Sequence, residues 1–149
     1  MRTVHDILMR KMNKEIWSIN PKAMVFEALA LMGQKEVGAL VVKDDAGKVV
    51  GIISERDYAR KVILKGKASK ETAVQEIMTP IADMFVVKPE NTVEECMVIM
   101  TGKKVRHLPV FKDNGFVGLV SIGDVVKSII AEQEMLIEQL SEYIAGKYI

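Results

Sequence analysis

Val49-Val50-Gly51-Ile52-Ile53-Ser54-Glu55-Arg56-Asp57 returns later in the chain as Phe116-Val117-Gly118-Leu119-Val120-Ser121-Ile122-Gly123-Asp124. In both copies a short apolar run of strand character leads straight into Ser-x-x-Asp, a helix-start signature. A fold that uses this strand-to-helix corner once uses it twice, and any ligand site built on it exists in duplicate.

The duplication extends outward in both directions. Pro21, Val25, Glu27, Met32, Lys35, Val37, Leu40 and Val42 match Pro89, Val93, Glu95, Met100, Lys103, Val105, Leu108 and Val110 at a shift of 68, while Val4 and Ile7 match Val74 and Ile77 at 70. The corner itself repeats at 67. The shift changes only between Met9 and Ser18 and near the turn at Gly47 to Val50, where loops tolerate length changes.

Within each copy the periods predict the elements. Met24, Ala28, Leu31 and Met32 share one helical face over 24–35, and Val93, Met97 and Met100 share another over 92–103. Paired strands follow at 38–43 with 48–53 and at 106–111 with 116–121, joined by Asp44-Asp45-Ala46-Gly47 and Lys112-Asp113-Asn114-Gly115, with Gly expected to supply the positive φ. A helix comes next, over about 54–64 and from Ser121 onward. Short leading strands are expected at Ile16–Ile19 and Met84–Val87, each ahead of a proline. The fold class is α/β (α+β): two pseudo-symmetric β-α-β-β-α repeats, packed sheet to sheet, over 1–68 and 69–131, with a helical extension over 132–149.

Composition bounds the rest. A repeat of about 60 residues is marginal alone, so the halves should pack together. Net charge is +1, from 21 Lys plus Arg against 20 Asp plus Glu, which gives no global field for nucleic acid. No apolar run approaches the roughly 20 residues that cross a bilayer. Arg2, His5, Asp6 and Arg10 interrupt the N-terminal apolar residues, unlike a secretory signal. The single cysteine, Cys96, forbids an internal disulfide and fits a reducing compartment. A soluble, cytoplasmic protein is expected.

The repeated unit, its Gly-apolar-apolar-Ser-x-x-Asp ending and the string Arg106-His107-Leu108-Pro109-Val110 resemble a tandem pair of CBS domains, the arrangement called a Bateman module, over roughly residues 4–131. Within that family the chain is similar to stand-alone pairs that bind adenine nucleotides. The resemblance implies a regulatory module with clefts between its repeats for AMP, ATP, NAD(H) or related adenosyl compounds. It places the nucleotide surroundings at the strand starts Val37, Gly38, Ala39, Arg106, His107 and Pro109, and at the leading strands near Ile19 and Val87.

Two readings of the corner compete. Ser54 and Ser121 suit N-caps, with Asp57 and Asp124 completing capping boxes. Alternatively the aspartates accept the two ribose hydroxyls, and free helix amides favour a phosphate. Arg56 has no basic counterpart in the second copy, where Gly123 occupies the position, so the two sites should differ in charge and affinity. Arg56, Arg60, Lys61, Lys65, Lys67 and Lys70 form a basic run, either a phosphate clamp or a solvated face. His5 and His107 lack companions at metal spacing. Cys96 aligns with Ala28 on a core-facing stripe and reads as a small buried thiol. No nucleophile, base and orienting group come together.

The tail carries an apolar stripe, Ile122, Val126, Ile129, Gln133, Leu136 or Ile137, Leu140 and Ile144, on a helix expected to end near Gly146. That stripe either meets a second subunit, making a homodimer, or folds back on the N-terminal helix. The leading functional expectation is a non-catalytic nucleotide sensor acting on a partner protein. An enzyme is the second, for which the repeats leave no catalytic domain, and a ligand-free adaptor built on the tail helix is the third.

Overall fold

Two prolines in register, Pro21 and Pro89, mark where the chain exchanges segments between its repeats. In the computed structural model, which describes residues 2–11 and 16–146, Gln75 donates its amide to Pro21 O at 2.9 Å and His5 donates to Pro89 O at 2.9 Å. Helix α1 (Val4–Arg10) thereby joins the second repeat, and helix α4 (Val74–Ile77) joins the first. Val25 to Thr72 O and Val74 to Ala23 O tie the first exchange; Val93 to Arg2 O and Val4 to Asn91 O tie the second. The result is two compact units, one of residues 16–84 and one of residues 2–11 with 85–146.

The first unit holds strand β1 (Ser18–Ile19), helix α2 (Val25–Lys35), strands β2 (Ala39–Lys43) and β3 (Val49–Ser54), helix α3 (Glu55–Tyr58), α4 and strand β4 (Thr79–Pro80). Its sheet runs β1-β2-β3-β4, with β1 parallel to β2 and the other pairs antiparallel. Val25, Ala28, Met32, Leu40, Val42, Ile53, Val62, Val74 and Ile77 form its core. The second unit holds α1, helix α5 (Val93–Lys103), the hairpin of strands β5 (His107–Lys112) and β6 (Gly115–Ser121), and helix α6 (Ile122–Ile144). Val4, Ile7, Val87, Val93, Cys96, Met100, Leu108, Val110, Val120 and Val125 form its core. The helices α2 and α5 end alike: Glu36 and Lys104 adopt left-handed φ of 55° and 56°, and Val37 and Val105 donate back to Met32 and Met100.

Three local expectations are corrected. The leading strand at Met84–Val87 shrinks to one bridge, Val87 to Val110. In the first repeat Val41 donates its amide to Trp17 O; the equivalent residue is Pro109, which has no N–H to extend the ladder. In the second hairpin the positive φ falls on Asp113 (50°) and Asn114 (68°), not on Gly115, which pairs with Lys112 inside the strands. Two central residues with φ above zero make the tight turn whose twist matches a hairpin. In the first hairpin Gly47 takes φ 82° as expected. The helix expected over 54–64 is α-helical only through Tyr58 and continues as a π turn over Ala59–Ile63, with Leu64 donating to Ala59 O. The wider turn accompanies a buried Val62 beside a half-exposed Lys61.

Candidate functional site

Each repeat ends its second hairpin strand at a serine that caps the following helix. Ser54 Oγ accepts from the Asp57 amide at 3.3 Å, while Asp57 Oδ2 accepts from the Ser54 amide at 2.9 Å. Ser121 and Asp124 repeat this at 3.2 and 2.8 Å. Both corners are therefore capping boxes. The helices' first amides are also committed: Glu55 donates to Gly38 O at 3.1 Å and Ile122 donates to Arg106 O at 2.8 Å. With the first and third amides so used, the expectation of free helix-end amides for a phosphate is corrected at those positions.

The strand starts lie against these corners. Ala39 stands opposite Ser54, and His107 opposite Ser121. Gly38 and Arg106 thus meet the helix starts at Glu55 and Ile122 through their carbonyls, and Val37 packs partly buried on the first core. Arg56 is the second residue of α3, and Arg60 lies exposed on the π turn. Ile19, Pro109 and Val87 lie further along the strands: Ile19 pairs with Val42, Pro109 with Leu119, and Val87 with Val110. At about 3.3 Å per residue, Ile19 stands roughly 10 Å along the sheet from Ala39.

A lysine neutralises each aspartate, and the two lysines come from different places. Lys61, one turn on from Asp57, lies 3.2 Å from Asp57 Oδ1 and donates to Ile77 O at 2.9 Å. Thr79 Oγ1 reaches the same Oδ1 at 3.4 Å. In the second unit Lys11, just beyond α1, lies 2.8 Å from Asp124 Oδ2 and 2.8 Å from Leu119 O. Burial pushes the Asp124 carboxyl up, but the bonds from Lys11 and Ser121, with the Lys11 charge, outweigh it and hold it below the ordinary carboxylate range. Lys11 and Thr79 escape the sequence reading. The available signal was their position just beyond the matched pairs Val4/Ile7 and Val74/Ile77.

The glycine of the repeated motif has a packing role. A Cβ on Gly51 would stand 2.7 Å from Thr79 O and 2.9 Å from Met78 Sδ, and one on Gly118 would stand 2.6 Å from Leu8 Cδ2. Both glycines let an exchanged segment lie against the strand that feeds the corner. Cys96 is buried as expected, and burial pushes its thiol up to about 11, with the Glu95 charge adding to the effect. Among the described residues no His, Cys, Asp and Glu cluster is set to hold a metal, and no helix is long and apolar enough to cross a membrane.

The model of the CBS domain matches residues 4–64 and 74–131. The chain is 44% identical over 126 residues to the mitochondrial CBS domain-containing protein CBSX3 of Arabidopsis thaliana, covering 83% of this chain and 61% of that relative's length. It resembles the structure of a putative signal-transduction protein with CBS domains from Burkholderia ambifaria, at 45% identity and TM-score 0.81, covering 88% of this chain and 96% of that one. It also resembles the crystal structure of CBSX2 in complex with AMP, at 27% identity and TM-score 0.68, covering 89% of this chain and 99% of that one.

Proposed function

Because the chain belongs to the CBS domain family and carries two such domains in tandem, we propose that it is a non-catalytic regulatory module that binds adenine nucleotides and passes their level to a partner protein. The observation that supports this most is the duplicated corner, where a carboxylate is held at the same strand-to-helix junction in each repeat. The AMP complex of the similar CBSX2 supports the ligand class.

Capping and ribose binding are compatible in this reading. A carboxylate offers about four lone-pair sites. At Asp124 the Ser121 amide and Lys11 both bond Oδ2, and Oδ1 takes the ribose; at Asp57 the Ser54 amide and hydroxyl bond Oδ2 while Lys61 and Thr79 stand at Oδ1 at 3.2 and 3.4 Å, so ribose hydroxyls replace those two longer contacts. Asp57 and Asp124 hold the sugars. Ser54, Ser121, Gly38, Ala39, Arg106 and His107 surround them, and Arg56 and Arg60 give the first site the greater positive charge toward phosphates. Val37, Ile19, Val87 and Pro109 offer apolar and backbone surface to the base. A single buried thiol fits a reducing compartment, and we place the module inside the cell.

A thermal-shift series with AMP, ADP, ATP, NAD+, NADH and S-adenosylmethionine tests this. Ligand at a hundredfold excess over its Kd stabilises by about 2.7 kcal/mol. Asp57→Asn and Asp124→Asn keep a capping oxygen while removing the charge, and each weakens its own site by about 1.5–3 kcal/mol. Absence of stabilisation by every adenosyl compound overturns the reading.

A further inference from the structure

We propose, resting on the reading that the two aspartates hold ribose, that Lys61 and Thr79 form a latch on the first corner. A nucleotide reaching Asp57 must free the exchanged α4 and β4 segment, whereas one reaching Asp124 meets an open oxygen and frees nothing. The Asp57 carboxylate is taken up within its own unit. Ser54 N and Ser54 Oγ donate to Oδ2 at 2.9 and 3.1 Å, and Lys61 Nζ and Thr79 Oγ1 stand 3.2 and 3.4 Å from Oδ1. These donors match the about four lone-pair sites that a carboxylate offers. A ribose hydroxyl enters only by replacing one of them.

The pair on Oδ1 is the replaceable one. Charge-assisted bonds of good geometry run at about 2.7–2.9 Å, and both contacts on Oδ1 are longer. The Ser54 bonds close the capping box and stay. What the Oδ1 pair holds is the exchanged segment: Lys61 also donates to the carbonyl of Ile77, the last residue of α4, at 2.9 Å, and Thr79 is the first residue of β4. That segment is short. Helix α4 is a single turn, and β4 meets β3 only through Thr79 with Ile52 and Pro80 with Gly51. Just beyond β4, between Met84 and Phe85, the chain passes from the first unit into the second. A ligand that unties Lys61 and Thr79 therefore acts on the stretch that leads to the other repeat.

The second corner lacks both parts of the latch. The residue matching Lys61 is Ser128, whose buried hydroxyl makes no hydrogen bond to Asp124. The residue matching Thr79, at the shift of 70, is Met9, which has no hydroxyl to donate. Lys11 and the Ser121 amide both use Oδ2, each at 2.8 Å, and no described residue donates to Oδ1. Lys11 therefore keeps Oδ2 and Leu119 O when a ribose arrives at Oδ1, and α1 stays docked. A ligand shifts an equilibrium only by its differential affinity for the two states. That differential exists at Asp57 and is absent at Asp124. A site whose competent state is the minor one binds more weakly in proportion, so a latch closed in about nine molecules of ten weakens the first site about tenfold.

Titration calorimetry with AMP and hydrogen exchange, both on the full chain, test the latch. Asp124→Asn weakens the second site and leaves the first to be read. In that background Thr79→Val, which removes only a hydroxyl, tightens AMP binding, and Lys61→Met with Thr79→Val tightens it by about tenfold. A lysine that clamped phosphate would give the opposite sign. In the wild type, saturating AMP speeds amide exchange over residues 74–80 and leaves exchange over 4–10 no faster. Asp57→Asn abolishes the first of these changes. Unchanged circular dichroism verifies that each variant folds. Weaker or unchanged AMP binding in both latch variants overturns the latch, and so does slowed or unchanged exchange over 74–80; either result leaves the ribose reading standing. Absence of AMP binding to the wild type overturns the ribose reading and the latch with it.

Discussion

The corners at Asp57 and Asp124 share their capping geometry to within about 0.1 Å and differ in where the cation comes from. At Asp57 it is Lys61 of the same helix, with a side chain 43% exposed; at Asp124 it is Lys11 from the exchanged N-terminal segment, 29% exposed. Position 61 corresponds to 128, where the second repeat has serine. Regular α6 turns Ser128 into the core, whereas the π turn leaves Lys61 at the rim and buries Val62 instead. The helix after the first hairpin thus supplies its own cation at the position where α6 has a serine. In the second repeat the exchanged segment supplies it.

The largest effect expected from this difference lies at the motif glycines. Gly51→Ala drives a Cβ against the Thr79 carbonyl, which is held in the β3–β4 ladder, whereas Gly118→Ala meets the end of a flexible leucine. Overpacking costs about 1–3 kcal/mol. Gly51→Ala should fall at the top of that range and Gly118→Ala at the bottom, measured by urea denaturation. Equal losses would break the claim that the exchanged segments are held by different means.

The lysines come next. Lys11→Met leaves Asp124 partly buried without its cation and leaves Leu119 O without its donor, a loss of about 1.5–3 kcal/mol. Lys61→Met also takes a donor from a carbonyl, Ile77 O, but it removes a more exposed pair with Thr79 still on Asp57, and should cost less, about 0.5–1.5 kcal/mol. The pH dependence sharpens the contrast. The Asp124 pKa is depressed on folding, so its contribution is fully present above the unfolded value of about 3.9 and fades as pH falls through the folded value. The gap between wild type and Lys11→Met should therefore be full at pH 7 and close in acid. A gap that persists in acid would assign the loss to packing of the Lys11 stem.

These asymmetries mark the limit of what the sequence disclosed. The repeat, the hairpins, both caps and the buried Cys96 were legible because each rests on local spacing or local chemistry. The exchange of α1 and α4 was not, although their kinship was visible: a short amphipathic helix shows that it has a core to join, not which one. Pro109 was readable as a residue yet not as the reason a strand stops, since that depends on a partner 24 positions earlier, the counterpart of Trp17. The ribose role of the aspartates was read from a resemblance, and the capping bonds themselves neither require nor forbid it.

Ser128 gives the smallest effect and the most direct reading of the comparison. Its hydroxyl is buried with no hydrogen-bond partner among the described residues. An unsatisfied buried polar group is destabilising, and alanine also has the better helix propensity. If position 128 is simply core where position 61 is rim, Ser128→Ala should raise stability by about 1 kcal/mol, or roughly 2–4 °C in Tm for a chain of this size. A loss of stability would mean that the hydroxyl bonds a group of its own, and that the second corner has a polar support of its own in place of Lys61.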